Sequence, residues 1–394
     1  TVTSVIPFQY TVADAVSVLA QTIDDRQHLG VGKLRFGLPE FEHGFEVVRI
    51  QPHIEGGFGE LHKRFRLSGE IKEKRKYRSM AGDSKYEALF RERLAEIVGE
   101  DRAADIRTTM ARPKRQGFWV NPLADGGIPD GELVEGMPGL YSVAPAEREN
   151  LTSHPAAQSG RVYLINPSSV LAVAALDVRP GHEVLDLAAA PGGKTLLLAA
   201  AMHNSGRIAA VEPHKARFHR MCANLGRCGV TNVEFYLADG RGVGRKTGAR
   251  FDRVLLDAPC SSEARIRWDE PDSYEHWKPR KVKESARKQR GLLRSALTAL
   301  KPGGVMVYCT CSFAPEENEQ VVTGALGAYP DVDIEPVSLP DGVASMRGLP
   351  QWRGRVIDAR LALAVRVLPD SLWDGLFVVR LRKKAGIRAS ASDS

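Results

Sequence analysis

Short apolar runs recur through the second half of the chain, each bounded by polar or glycine-containing turns. Val184 to Leu187, Arg207 to Val211, Val233 to Leu237, Arg253 to Leu256, Val305 to Tyr308 and Leu376 to Leu381 read as strands. Ser168 to Leu176, Thr195 to His203, Lys215 to Leu225 and Ser285 to Leu300 carry helical spacing between them. Strand and helix in alternation predict an α/β fold with a doubly wound, mostly parallel sheet. Upstream, Leu89, Phe90, Leu94, Ile97 and Val98 recur as on a helix, and Ser84 with Glu87 makes a capping pattern. Pro113 and Gly117 end that region, and Gly126 to Gly131 reads as a turn-rich connector. Residues 1–80 show only weak strand-like stretches, such as Phe45 to Ile50, and residues 385–394 read as a loose tail.

Composition narrows the class. A chain of 394 residues with 43% hydrophobic content can bury a large core in two or three domains. No apolar run reaches the roughly 20 residues that span a bilayer, so no membrane partner is expected. Thr1 to Tyr10 lack the basic-then-apolar pattern of a secretion signal. Net charge is +7, and the excess is clustered. Gly59 to Met80 hold eight Lys/Arg against three Glu, and Trp277 to Arg290 hold seven against one. Such clusters suit a phosphate backbone. Five cysteines, with no Cys-x-x-Cys, fit free thiols in a reducing compartment better than disulfides or structural zinc. The cytoplasm is the expected location, with the mitochondrial matrix as the alternative.

Candidate chemistry gathers at strand ends. In parallel α/β sheets the loops after the strands open onto one edge, where ligands bind. Asp186 to Thr195 (Asp-Leu-Ala-Ala-Ala-Pro-Gly-Gly-Lys-Thr) joins a strand to a helix, and Gly192 and Gly193 allow close backbone approach to a ligand. The glycine spacing matches neither a phosphate loop nor a dinucleotide fingerprint, which disfavours ATP and NAD. Glu212, Asp239 and Asp257 follow at successive strand ends, and an acid at the second can accept ribose hydroxyls. Cys260 and Cys311 sit in two further strand-end loops. Two thiols beside a cofactor turn suggest covalent catalysis.

Several stretches together resemble the Nol/Nop/Sun family of RNA 5-cytosine methyltransferases, nearest its bacterial ribosomal-RNA branch. They are Asp186 to Thr195, Asp257 to Ser261, Thr310 to Ser312, Arg227 to Val230, Lys301 to Gly304, Pro315 to Glu319 and Asp374 to Arg382. The resemblance runs from about Lys85 to Lys384 and is strongest from Val162. It implies a Rossmann-like S-adenosylmethionine methyltransferase domain with a seven-stranded sheet over residues 151–385. It implies an N-terminal RNA-binding module over 84–150, after a basic extension of unknown fold at 1–83 and before a tail at 386–394. The implied cofactor is S-adenosylmethionine, with Ala190, Pro191, Gly192, Gly193 and Lys194 at its methionine part. Glu212 would hold the ribose, Asp239 and Gly240 would flank the adenine, and Asp257 would lie near the methyl group.

Cytosine C5 is too electron-poor to take a methyl unaided, and a thiolate adding to C6 makes it nucleophilic. By resemblance Cys311 is that nucleophile, Cys260 assists product release, and Asp257 contacts N3. Cys309, two residues before Cys311, competes for the first role. The base must be extruded or single-stranded to be reached. Arg267 matches a family arginine. Lys278, Arg280 and Lys281, with Arg265, Lys283, Trp268 and Trp277, suit backbone contact and base stacking. The expected partner is ribosomal RNA, with transfer RNA as the alternative and assembly proteins a candidate for the extension. Ile165 and Asn166 stand where relatives carry Gln and an acid, Ser262 and Ala264 replace glycines, and Trp119 replaces an arginine. Those departures motivate an alternative: a ribosome-assembly factor that binds RNA on a methyltransferase scaffold without turnover.

Overall fold

The computed structural model describes residues 85–385, except 271–272 and 275–276. The extension 1–83, with Phe45 to Ile50 and the Gly59 to Met80 cluster, the Ser84 cap and the tail 386–394 lie outside the described residues.

The chain opens with two helices, α1 (Lys85–Val98) and α2 (Glu100–Met110). A small sheet follows, built from β1 (Gln116–Val120), β2 (Glu132–Leu133), β3 (Leu140–Val143) and β4 (Val162–Leu164) in the order β2-β3-β1-β4, all antiparallel. Helices α3 (Arg148–Ser153) and α4 (Pro155–Ser159) connect β3 to β4. Because β4 pairs with β1, this sheet straddles the boundary expected at residue 150.

The larger domain then alternates as its periodicity predicts. In chain order it runs α5 (Ser168–Leu176), β5 (Glu183–Asp186), α6 (Gly193–Ala201), β6 (Arg207–Glu212), α7 (Lys215–Arg227), β7 (Val233–Leu237), α8 (Val243–Thr247), β8 (Phe251–Asp257), α9 (Pro279–Ala299), β9 (Leu300–Thr310), α10 (Glu319–Ala328) and β10 (Val332–Glu335). Short strands β11 (Ser345–Arg347), β12 (Gln351–Trp352), β13 (Arg355–Val356) and β14 (Val365–Val367) precede the long β15 (Leu376–Lys383). The main sheet orders them β11-β14-β15-β9-β8-β5-β6-β7, with β10 also pairing with β15. Strands β5 to β9 are parallel, and β15 joins β9 antiparallel. The sheet has nine described strands rather than seven. Three of them, β10, β11 and β14, come from Val332 to Val367, where segments of three or four residues were not read as strands.

Alternation along each strand sends side chains to two faces. Val184, Leu255, Val305, Val307 and Cys309 enter one core with α5 and α6, while Leu185, Leu256, Met306 and Tyr308 enter the other with α9 and α10. A third cluster matters more for the site. Phe90, Leu94 and Ile106 of α1 and α2 pack on Ala264, Ile266, Phe313 and Ala314, in the loops that carry the two thiols. Arg93 reaches Glu316 at 2.8 Å in the same contact. The helical module therefore braces the loops that carry the two thiols directly.

Candidate active site

Strand β5 ends at Asp186, and the turn beyond it enters α6 through Gly192 at φ 103°, a left-handed conformation that favours glycine. There Lys194 turns back across the sheet edge. Its Nζ donates to Asp257 Oδ2 at 2.6 Å and to Ser169 Oγ at 3.0 Å. These residues line two overlapping cavities of about 250 and 220 Å³ that share Ala188, Ala190, Lys194, Asp257 and Arg265. Cys260 and Cys311 open on the first, while Asp186, Pro191 and Gly193 line the second. One continuous site thus joins the glycine turn to both thiols.

The thiols are unlike one another. Cys260 Sγ and Cys311 Sγ are 3.2 Å apart, and both are partly exposed to the cavity. The hydrogen bond from Cys260 lowers Cys311 below the ordinary thiol range, helped by the Arg265 charge against burial and Asp257. Cys260 is pushed well up, first by its bond to Cys311 and then by burial. Of the pair, Cys311 is therefore the thiol that ionises more readily and Cys260 the one that keeps its proton more tightly. Cys309 is fully buried, and burial also pushes it far up. Its Sγ lies 3.5 Å from Asp257 Oδ1 on the core side. The two residues part because β9 ends at Thr310, where Thr310 Oγ1 donates to Asn318 Oδ1 at 2.6 Å and the chain leaves the ladder.

Behind the thiols, two buried carboxylates tie their loops together. Glu317 accepts Ser261 N at 2.9 Å, Gln289 Nε2 at 2.8 Å, Ser312 Oγ at 2.9 Å and the Ser261 hydroxyl. Glu263 accepts Phe313 N, Ala314 N and Trp277 Nε1, each at 2.8 Å, and the single Ser312 hydroxyl proton lies between it (3.0 Å) and Glu317. Sequence reasoning quoted Glu317 within a motif but gave it no role. An acid closely following each Cys-Ser pair was the available signal.

The cofactor side is arranged differently. Asp186 is buried, takes the Thr195 hydroxyl on Oδ2 at 2.7 Å and leaves Oδ1 without a partner. Burial raises it to about 7. Glu212 accepts His214 N at 3.0 Å on Oε1, while its buried Oε2 has no hydrogen bond and faces Arg217 Nη1 at 3.6 Å. Arg217, which sequence reasoning missed, also donates to Ala190 O at 2.6 Å and lines both cavities. Two orphaned buried oxygens along the glycine turn fit a ligand rich in donors, as the ribose and amino groups of S-adenosylmethionine are.

Other expected residues fall elsewhere. Asp239 caps the turn at Gly240 and pairs with Arg241, and it borders a separate apolar cavity of about 290 Å³. A side chain at Gly240 would meet Leu187 O at 2.9 Å, so packing alone accounts for that glycine. Arg267 is paired with Asp269, Arg280 with Glu284, and Lys278 lies over the Tyr86 ring at 5.6 Å. Lys281 lies in the first turn of α9. Trp277 was expected to stack on bases. It is buried instead, because its indole N–H is needed by Glu263. Asn166, at the family's acidic position, donates to Asp374, which Lys114 also contacts at 2.6 Å. Among the described residues no cluster of His, Cys, Asp or Glu forms a metal site, and no helix is long and apolar enough to cross a membrane.

A five-stranded parallel core with an antiparallel strand inserted beside β9, a glycine turn and acids at the next strand ends together define a Rossmann-like methyltransferase. The comparisons agree on the class and narrow it. The chain belongs to the family described as 16S rRNA methyltransferase RsmB/F, whose model matches residues 173–382. This is the family its motifs resemble, and its cofactor is S-adenosylmethionine. The chain is similar to ribosomal RNA small subunit methyltransferase F of Klebsiella pneumoniae (strain 342), at 37% identity over 69% of this chain and 51% of that protein. The protein of that name from Escherichia coli O139:H28 matches at 37% over 70% of this chain and 51% of its own length. The chain thus spans about half the length of the curated relatives it matches. Among solved structures, a methyltransferase homologue from Pyrococcus horikoshii is 31% identical, with a TM-score of 0.64 over 76% of this chain and 96% of that one.

Proposed function

We propose that the protein methylates C5 of a cytosine in small-subunit ribosomal RNA through a covalent bond between Cys311 and C6. The observation that carries this reading is the thiol pair, 3.2 Å apart, in a cavity continuous with the glycine turn and the Lys194–Asp257 pair. Residues 84–150 would serve as an RNA-binding module. Lys278, Arg280 and Lys281, near the start of α9, would meet the phosphate backbone.

Bound S-adenosylmethionine would supply an electrophilic methyl group, held by Ala190 to Lys194 and Glu212. The rest falls to the chain. Cys311, as thiolate, adds to C6, and the electron pair moves through C5 toward N3. Asp257 faces N3, and Lys194 at 2.6 Å can pass it a proton as charge builds on the ring. Once C5 carries the methyl group, its proton must go to a base while the C6–S bond breaks and Cys311 leaves as thiolate. Cys260, beside that sulfur, assists this step. The test is incubation with methyl-labelled cofactor and small-subunit RNA. Label at cytosine C5 that disappears in Cys311→Ala is expected, and label retained in that variant would reject the assignment.

A further inference from the structure

We propose that Arg265 is the counter-cation of the attacking sulfur, a positioning residue that holds Cys311 as a thiolate until the target base arrives. The inference rests on reading Cys311 as the nucleophile. The short turn Glu263–Arg265 cannot drift from that residue, because Ala264 N donates to Cys311 O at 3.0 Å. Glu263 in the same turn holds the amides of Phe313 and Ala314. Arg265 follows directly and lines both cavities, with Cys260 and Cys311 in the wall of the first.

Charge balance singles it out. The groups around Cys311 are Cys260 from the loop after β8, Asp257 at the end of β8, Lys194 from α6, Cys309 on β9, Asp374 before β15 and Arg265 itself. Asp257 is neutralised by Lys194 and Asp374 by Lys114, each at 2.6 Å. Arg217, the other arginine in the wall, is engaged by Glu212 and Ala190 O. Arg265 has no hydrogen bond or ion pair from its guanidinium among the described residues, whereas Arg267 is bound to Asp269. The largest influence on Arg265 is Cys311, and its charge is among those that lower the Cys311 thiol. An arginine suits this task because, unlike lysine, it does not surrender its proton to the thiolate beside it.

The experiment follows iodoacetamide alkylation of Cys311 against pH in the full chain, read by peptide mass spectrometry, alongside the pH profile of kcat/KM. Arg265→Gln should move the alkylation midpoint and the acidic limb of the profile upward together by about one pH unit. Arg265→Lys should restore most of that shift. Arg265 is exposed, so neither variant should disturb folding, and thermal unfolding checks this. A fall in kcat with both midpoints unmoved would mark a structural role and overturn the proposal. If Cys311→Ala still methylated RNA, the nucleophile reading would fail separately, whatever the alkylation midpoint did.

Discussion

Two pairs of buried carboxylates lie on either side of the cavity that holds the two thiols, and they are treated in opposite ways. Glu263 and Glu317, behind the thiol loops, have every oxygen occupied by amide, hydroxyl, indole or carboxamide donors. Asp186 and Glu212, along the glycine turn, each keep one buried oxygen without a hydrogen bond. A buried polar atom left unpaired costs free energy, and natural chains rarely keep one without reason. The saturated pair is a clamp, part of what keeps Cys260 and Cys311 in contact. On the proposed function, the unsaturated pair would be a seat whose missing partners arrive with the cofactor. Stability and binding should therefore separate cleanly between them.

Cys311, between the two pairs, gives the largest effect. Cys311→Ala should lower methyl transfer by on the order of 10⁴-fold or more while cofactor binding and unfolding stay as in the parent. Glu212→Ala should weaken cofactor binding about 100-fold by calorimetry, the loss of charged hydrogen bonds to two hydroxyls, yet leave the apoprotein no less stable. Glu317→Ala should do the reverse. It strands the Ser261 and Gln289 donors and should cost about 3 kcal/mol in denaturant unfolding, with cofactor affinity nearly unchanged. Equal losses of stability in both variants would erase the distinction.

The pH dependence is smaller. Burial raises Asp186 and Glu317 to about 7 each, above their unfolded values. The folded state therefore favours their protonated forms. Their contribution to stability is full at low pH and is lost as pH rises toward and through 7. Each of these groups should lower apoprotein stability by about 2 kcal/mol between pH 5 and pH 7.5, and Asp186→Asn should remove its share of that slope. The smallest effects belong to Lys278, Arg280 and Lys281. Each changed to Gln should weaken RNA binding only a few-fold and reduce its salt dependence by about one phosphate contact.

The central fold was legible in the sequence because short apolar runs alternate with helical spacing, and strands β5, β6, β8 and β9 bury most of those runs, while β7 at the sheet edge is only partly covered. Val233–Leu237 and Ser168–Leu176 fall where their periodicity puts them. The small sheet β2-β3-β1-β4 and the strands between Val332 and Val367 were not legible, since they are short and lie outside the strand–helix alternation that marked β5 to β9. The placement of Cys260, Cys311, Asp257 and Lys194 around one cavity was legible because each lies at or just after a strand end or a glycine turn. Trp277 was misread: an aromatic among cations suggests stacking, and only the fold reveals that its N–H serves Glu263. Arg217 and the Asn166–Asp374–Lys114 contact depend on residues far apart in the chain, so no local pattern exposes them.

The most direct measurement is the mass of the protein–RNA adduct formed by Cys260→Ala under turnover conditions, mapped by proteolysis to a single cysteine. The account predicts a stable adduct carried by the peptide that contains Cys311 and broken at no other thiol. An adduct on Cys309, or continued methylation with no adduct at any stage, would contradict it.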